Sequence, residues 1–152
     1  MECMIIAETN FEKARKKILE AKSKNEISIF SSYDEELSRK ILEKSPPEIF
    51  LINLAQRKDK QKQRESGFNH VLAKIAKKNK TKIGINLDEI IDSSSFQKAK
   101  ILARLRQNII LCSKNKIQMI FIAQKEENQR NEYDLKSLGL ILGMPTNMVR
   151  DL

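Results

Sequence analysis

A chain of 152 residues, 40% hydrophobic and 32% charged, is long enough for one domain with a sizeable core and contains no apolar run of bilayer-spanning length. Its two cysteines, Cys3 and Cys112, lie far apart with no Cys-x-x-Cys pair, which suggests neither a disulfide framework nor a cysteine-based metal site and points to buried or reduced thiols. The net charge of +9 is regional: residues 1–56 hold nine basic and ten acidic groups, residues 57–125 hold seventeen and five, and residues 126–152 hold three and five.

A concentrated excess of this kind points to a polyanionic partner, whereas a uniform one would speak mainly of solubility. Two tyrosines, six phenylalanines and no tryptophan offer few platforms for stacked bases, so contact with a phosphate backbone is expected to lead. The opening segment, Met1 to Ala7, lacks the basic start and small-residue cleavage site of a signal peptide, and a cytoplasmic address with no membrane partner is the expectation.

In chain order, Met4–Ala7 reads as a short strand, and Asn10 as the cap of a helix that turns Phe11, Ala14, Ile18, Leu19 and Ala21 inward. Ile27–Phe30 is a second strand, and Asp34 caps a helix with Leu37, Ile41 and Leu42 inward, ended by Ser45-Pro46-Pro47. Glu48–Leu54 is a third strand, apolar along most of its length, which suits a sheet covered on both sides.

The following loop, Gln56–Arg64, carries five basic groups against one acid and no apolar residue, so it has nothing to pack into a core. It reads either as a solvated loop or as an anion-contacting surface. It leads into a helix for which Ser66 is the expected cap, with Phe68, Val71, Leu72 and Ile75 on one face. His70, Lys74 and Lys77 fall opposite, beginning at the first turn, where free N–H groups and the helix dipole favour anions. Basic residues on the outer face of any surface helix are the plainer account of the same spacing.

Lys82–Leu87 is a fourth strand, followed by a turn through Asp88–Ile91 to Ser93-Ser94-Ser95. A helix from about Phe96 to Ser113 places Ile101, Leu102, Leu105, Ile109 and Cys112 on one face, with Lys100 and Arg104 opposite and Arg106 and Lys114 to the side. No acid occurs between Ser93 and Lys125, so these cations are expected to find their partner outside the chain. Ile117–Ala123 is a fifth strand, and Leu135, Leu138, Gly139, Ile141 and Leu142 mark a closing helix. Strand followed by helix, five times and without a hairpin signal, predicts an α/β fold with a parallel sheet and right-handed crossovers.

The residues give little to catalysis. His70 is the sole histidine, the glycines are too scattered for a phosphate loop, and Glu8, Asp34 and Asp88 read as helix caps or first-turn acids rather than metal ligands. No catalytic or metal-binding residue is expected. Arg57, Lys60, Lys62, Arg64, His70 and Lys74 form the predicted phosphate-contacting surface at the strand C-terminal rim, extended by Lys100, Arg104 and Arg106.

The strings SGFNHVLAKIAKKN (66–79), IGINLDEII (83–91), KAKILARLRQNIILCSKNKI (98–117) and LKSLGLILGM (135–144) resemble, in order and spacing, protein component 3 of archaeal and eukaryotic ribonuclease P, the thirty-kilodalton subunit. The resemblance runs from about Gly67 to Met144 and makes residues 1–152 a single component 3-like domain. It implies a TIM-barrel-like fold. A closed barrel needs about eight units, so five strands make a shortened form; the family's first two βα units have no counterpart, and the strand and helix beyond Met144 are cut short. A sheet edge and one flank are then left for a partner protein or a second copy of the chain.

The resemblance further implies a non-catalytic protein subunit of the ribonuclease P holoenzyme, an endoribonuclease that removes the 5′ leader of precursor tRNA. Its RNA subunit would supply the active site and use magnesium, this chain would bind no cofactor, and ribonuclease P RNA and component 2 would be its partners. Two further readings stand beside it: a stand-alone RNA- or DNA-binding α/β module, and a metal-dependent hydrolase.

Overall fold

A computed structural model describes residues 2–152; Met1, part of the opening segment considered above, lies outside them. The elements run β1 (Cys3–Ile6), α1 (Phe11–Ser23), β2 (Ile27–Phe30), α2 (Glu35–Lys44), β3 (Ile49–Ile52), α3 (His70–Asn79), β4 (Lys82–Asn86), α4 (Leu87–Asp92), α5 (Ser95–Asn115), β5 (Met119–Ile122), α6 (Glu132–Leu142) and α7 (Thr146–Arg150). A 3₁₀ turn at Glu126–Asn128 precedes α6.

The five strands are parallel and lie in the order β1-β2-β3-β4-β5, each beside its sequence neighbours. Strand order never reverses, so the sheet is wound in one direction, as in a segment of a (β/α) barrel, rather than doubly wound about a switch point. The two sheet faces differ accordingly. Ile6, Phe30, Phe50, Ile52, Ile83, Ile85, Met119 and Phe121 meet the helices in one large core, together with Ile18, Ile41, Leu72 and Leu105. On the other face Ile29, Ile49 and Leu51 bury one another, flanked by Ile27, Ile120 and Ile122. β3 is therefore buried on both faces, but by helices on one side and by neighbouring strands of the curved sheet on the other. Gly84 leaves room for that packing, since a Cβ there would stand 3.0 Å from the Ile49 side chain and 3.1 Å from that of Leu51.

Helix starts follow local chemistry. Asn10 Oδ1 accepts from the N–H groups of Glu12 and Lys13, and Asp34 Oδ1 from that of Leu37, as their sequence positions predict. α3 begins later than expected: Asn69, not Ser66, is the cap, its Oδ1 accepting from Leu72 N–H. Ser66 is buried and donates to the Phe68 carbonyl. Leu19 and Val71, predicted inward, are exposed. The turn expected at Asp88–Ile91 is the helix α4, and a further short helix, α7, lies beyond Pro145. Cys3 is exposed, whereas Cys112 is fully buried and burial pushes its thiol up to about 12. Among the described residues no helix is long and apolar enough to cross a membrane.

Candidate nucleic-acid interface

In a parallel sheet the C-terminal ends of all strands meet at one rim, which brings the β2–α2, β3–α3 and β4–α4 connections together. The side chains at this rim tie the long β3–α3 connection down at both ends. Glu89, in α4, accepts from the N–H groups of Leu54 (2.8 Å) and Ala55 (3.3 Å). Its own position is set by Asn86, which caps α4 and also donates to Asn53 Oδ1 at 2.8 Å. Burial raises the Glu89 carboxyl above its ordinary value, against the two N–H groups and the Arg57 and Arg104 charges, which pull the other way. At the far end, Asn108 Nδ2 donates to the Ser66 carbonyl and Gln107 to Ser66 Oγ.

Arg57 and Arg104 brace the loop from beneath. Arg57 Nε donates to the Asn53 carbonyl at 2.9 Å, and its guanidinium lies 4.9 Å from the centre of the Tyr33 ring. Burial lowers the guanidinium's proton affinity, with Glu65 the main opposing influence. Gly67, at φ +69°, borders the same group; a Cβ would stand 2.4 Å from the guanidinium carbon. Arg104 is only 3% exposed, donating from Nη1 to the Leu54 carbonyl at 2.8 Å and from Nε to Asp59 at 3.2 Å. The Glu65 N–H and then Arg104 hold the Asp59 carboxyl below its usual range. The expectation that Arg104 faces outward toward an external partner is thus corrected: its partners are a main-chain carbonyl and a carboxylate of this chain. The loop is also packed where its ends meet the core, through Leu54 and Phe68.

What the braced loop presents is positive. Lys58, Lys60, Lys62 and Arg64 are exposed and enter no ion pair among the described residues. Lys60 and Gln63 exchange backbone hydrogen bonds, making a tight turn at the tip. His70 and Lys74 are exposed on the first two turns of α3, as the spacing predicts. A cleft of about 490 Å³ brings Arg57, Lys60 and Arg64 together with Tyr33 and Lys58. Lys62, His70, Lys74, Lys100, Arg104 and Arg106 do not line it. Lys100 instead lies over the Phe96 ring at 4.5 Å, and Arg106 reaches the Leu142 carbonyl at 3.4 Å, at the C-terminal end of α6.

Sequence reasoning missed Tyr33 and Glu89. The signal for Tyr33 was its place three residues past the end of β2, the strand adjacent to β3, which puts it on the rim. Glu89 read as a turn residue because α4 is too short to display a period. Among the described residues no three side chains of the metal-ligating types cluster.

No protein-family model matches the chain. It is similar to ribonuclease P protein component 3 of Methanococcus vannielii, 24% identical over 109 residues, which cover 72% of this chain and 45% of that protein. It is also similar to ribonuclease P protein component 3 of Methanocaldococcus jannaschii, 26% identical over 76 residues, covering 49% of this chain and 33% of the relative. The matched stretches span less than half the length of these curated relatives. Its fold matches a chain in the cryo-EM structure of archaeal ribonuclease P with mature tRNA at a TM-score of 0.77 and 20% identity, over 97% of this chain and 63% of that one. Sequence match and shared fold point the same way: the chain is similar to ribonuclease P protein component 3 over most of its length and has the fold of a chain of archaeal ribonuclease P.

Proposed function

We propose that the chain is a protein subunit of ribonuclease P that supports the catalytic RNA in removing the 5′ leader of precursor tRNA. The observation that carries this reading is the 109-residue match to component 3 proteins, 72% of the chain. The rim gives it a physical basis. RNA folding is opposed by phosphate repulsion, and a braced loop that holds Lys58, Lys60, Lys62 and Arg64 outward, beside His70 and Lys74, offsets that repulsion without reorganising. Arg57 and Arg104 serve this surface from below by fixing the loop. Lys100 and Arg106 flank it on α5.

In this reading the chain itself is non-catalytic and holds no cofactor. The RNA subunit supplies the active site with its magnesium, component 2 is the protein partner, and the complex works in the cytoplasm. A second copy of the chain is the alternative cover for the open edge at β1, where Ile5 is exposed.

The test is cleavage of precursor tRNA by ribonuclease P RNA and component 2 at limiting magnesium, with and without the chain. A clear rise in rate is expected, and a Lys60→Glu, Lys62→Glu variant should lose most of it. No rise, despite tight RNA binding by the chain alone, would replace this reading with that of a stand-alone RNA-binding module.

A further inference from the structure

The cleft at the rim has a composition that a phosphate-contacting surface does not need. Tyr33, 45% exposed, lines it with the Arg57 guanidinium over its ring. Lys58, Lys60 and Arg64 line it too, outnumbering the acids Glu35 and Glu65. Gln56 is also on the lining and is exposed. The volume of about 490 Å³ falls within the range of about 300–1,000 Å³ usual for small-ligand sites and is far too small for a duplex. An aromatic ring, an exposed amide and several cations are the groups that recognise, in turn, a base face, a base edge and a phosphate.

We propose that this cleft holds one unpaired nucleotide of an RNA strand, its base stacked on Tyr33, its edge read by Gln56 and its phosphate held by Lys58, Lys60 and Arg64. The site rests on the RNA-binding reading above and adds to it a preference for an unpaired residue. Arg57 occupies one side of the Tyr33 ring and is itself fixed by the bond to the Asn53 carbonyl. Tyr33 is thereby a prepared platform where the positive loop meets the end of the adjacent strand β2.

The test compares binding of a single-stranded RNA oligonucleotide and an RNA duplex to the full chain and to three variants. Tyr33→Leu should weaken the single strand about tenfold, in line with the loss of one stacked base, and leave the duplex and both salt slopes unchanged. Tyr33→Phe, which keeps the ring, should restore single-strand binding. Equal loss on both RNAs, no loss, or a Tyr33→Phe defect as large as that of Tyr33→Leu would overturn the nucleotide site while leaving the phosphate surface in place. Lys60→Ala, Lys62→Ala should weaken both RNAs and flatten both slopes; unchanged slopes would overturn the phosphate surface itself. In the unaltered chain, an oligonucleotide containing 5-iodouridine should photo-crosslink to the peptide bearing Tyr33, and crosslinking only elsewhere would overturn the proposal.

Discussion

Gly67 sits where only a residue without a side chain fits, in the left-handed region at φ +69° and against the Arg57 guanidinium. Gly67→Ala is expected to cost about 1–3 kcal/mol in urea denaturation, because it combines backbone strain with displacement of Arg57. Arg104→Ala removes the donor to the buried Leu54 carbonyl and should cost about 1–3 kcal/mol, with little of it from the partly exposed Asp59. Lys62→Ala, exposed and unpaired among the described residues, should stay within about 0.5 kcal/mol. Glu89 carries a pH signature. Its folded-state carboxyl is raised above the ordinary 4.5, so it favours the folded state fully below that value and progressively less as pH rises through the raised one. Glu89→Gln should therefore flatten the decline in stability on the alkaline side of pH 4.5, whatever its effect on stability at one fixed pH.

Helices and strands with strong local signals were legible in the sequence; those whose signals compete were not. Asn10 and Asp34 cap their helices because each stands immediately before an apolar 3.6-residue rhythm. Before α3 two candidates compete, Ser66 and Asn69, and tertiary structure decides. Phe68 is buried one residue ahead of the Asn69 cap, and Ala73, four positions into the helix, lies in the same core, which is the spacing of a hydrophobic staple. Asn69→Ala should accordingly cost about 1 kcal/mol of stability, with added fraying of residues 70–73 in amide hydrogen exchange. α5 hid its true inward face for a different reason. The buried positions 101, 104, 105, 108, 109 and 112 form a regular stripe, but Arg and Asn occupy two of them. An apolar count leaves them out and puts Arg104 on the solvent side. The basic loop and its place on the rim could be read directly; the bracing of that loop by Arg104, Asn108 and Glu89 depends on contacts 35 to 50 residues apart in sequence, which no local pattern encodes.

Across the whole molecule, the sequential strand order puts the basic loop and the start of α3 on one rim, while Lys77, Lys80, Lys82 and Lys116 gather at the opposite end of the strands. The positive middle of the chain is therefore split between the two ends of the sheet, and the loop carries the share at the rim. Neutralising Lys60 and Lys62 should lower the dependence of log affinity on log salt by about 0.7 to 0.9 for each phosphate left without its cation, measured by RNA titration over a range of salt.

The double anchoring of the β3–α3 connection has a kinetic corollary. A loop that must fold around its ligand makes encounter wait on chain ordering, whereas one already held by Arg57, Arg104, Glu89 and Asn108 can capture on arrival. Stopped-flow association with RNA should thus be fast and single-phased, with a rate constant that falls steeply as salt rises. Arg104→Ala, by slackening one anchor, should introduce a slower, concentration-independent phase while leaving every exposed lysine in place.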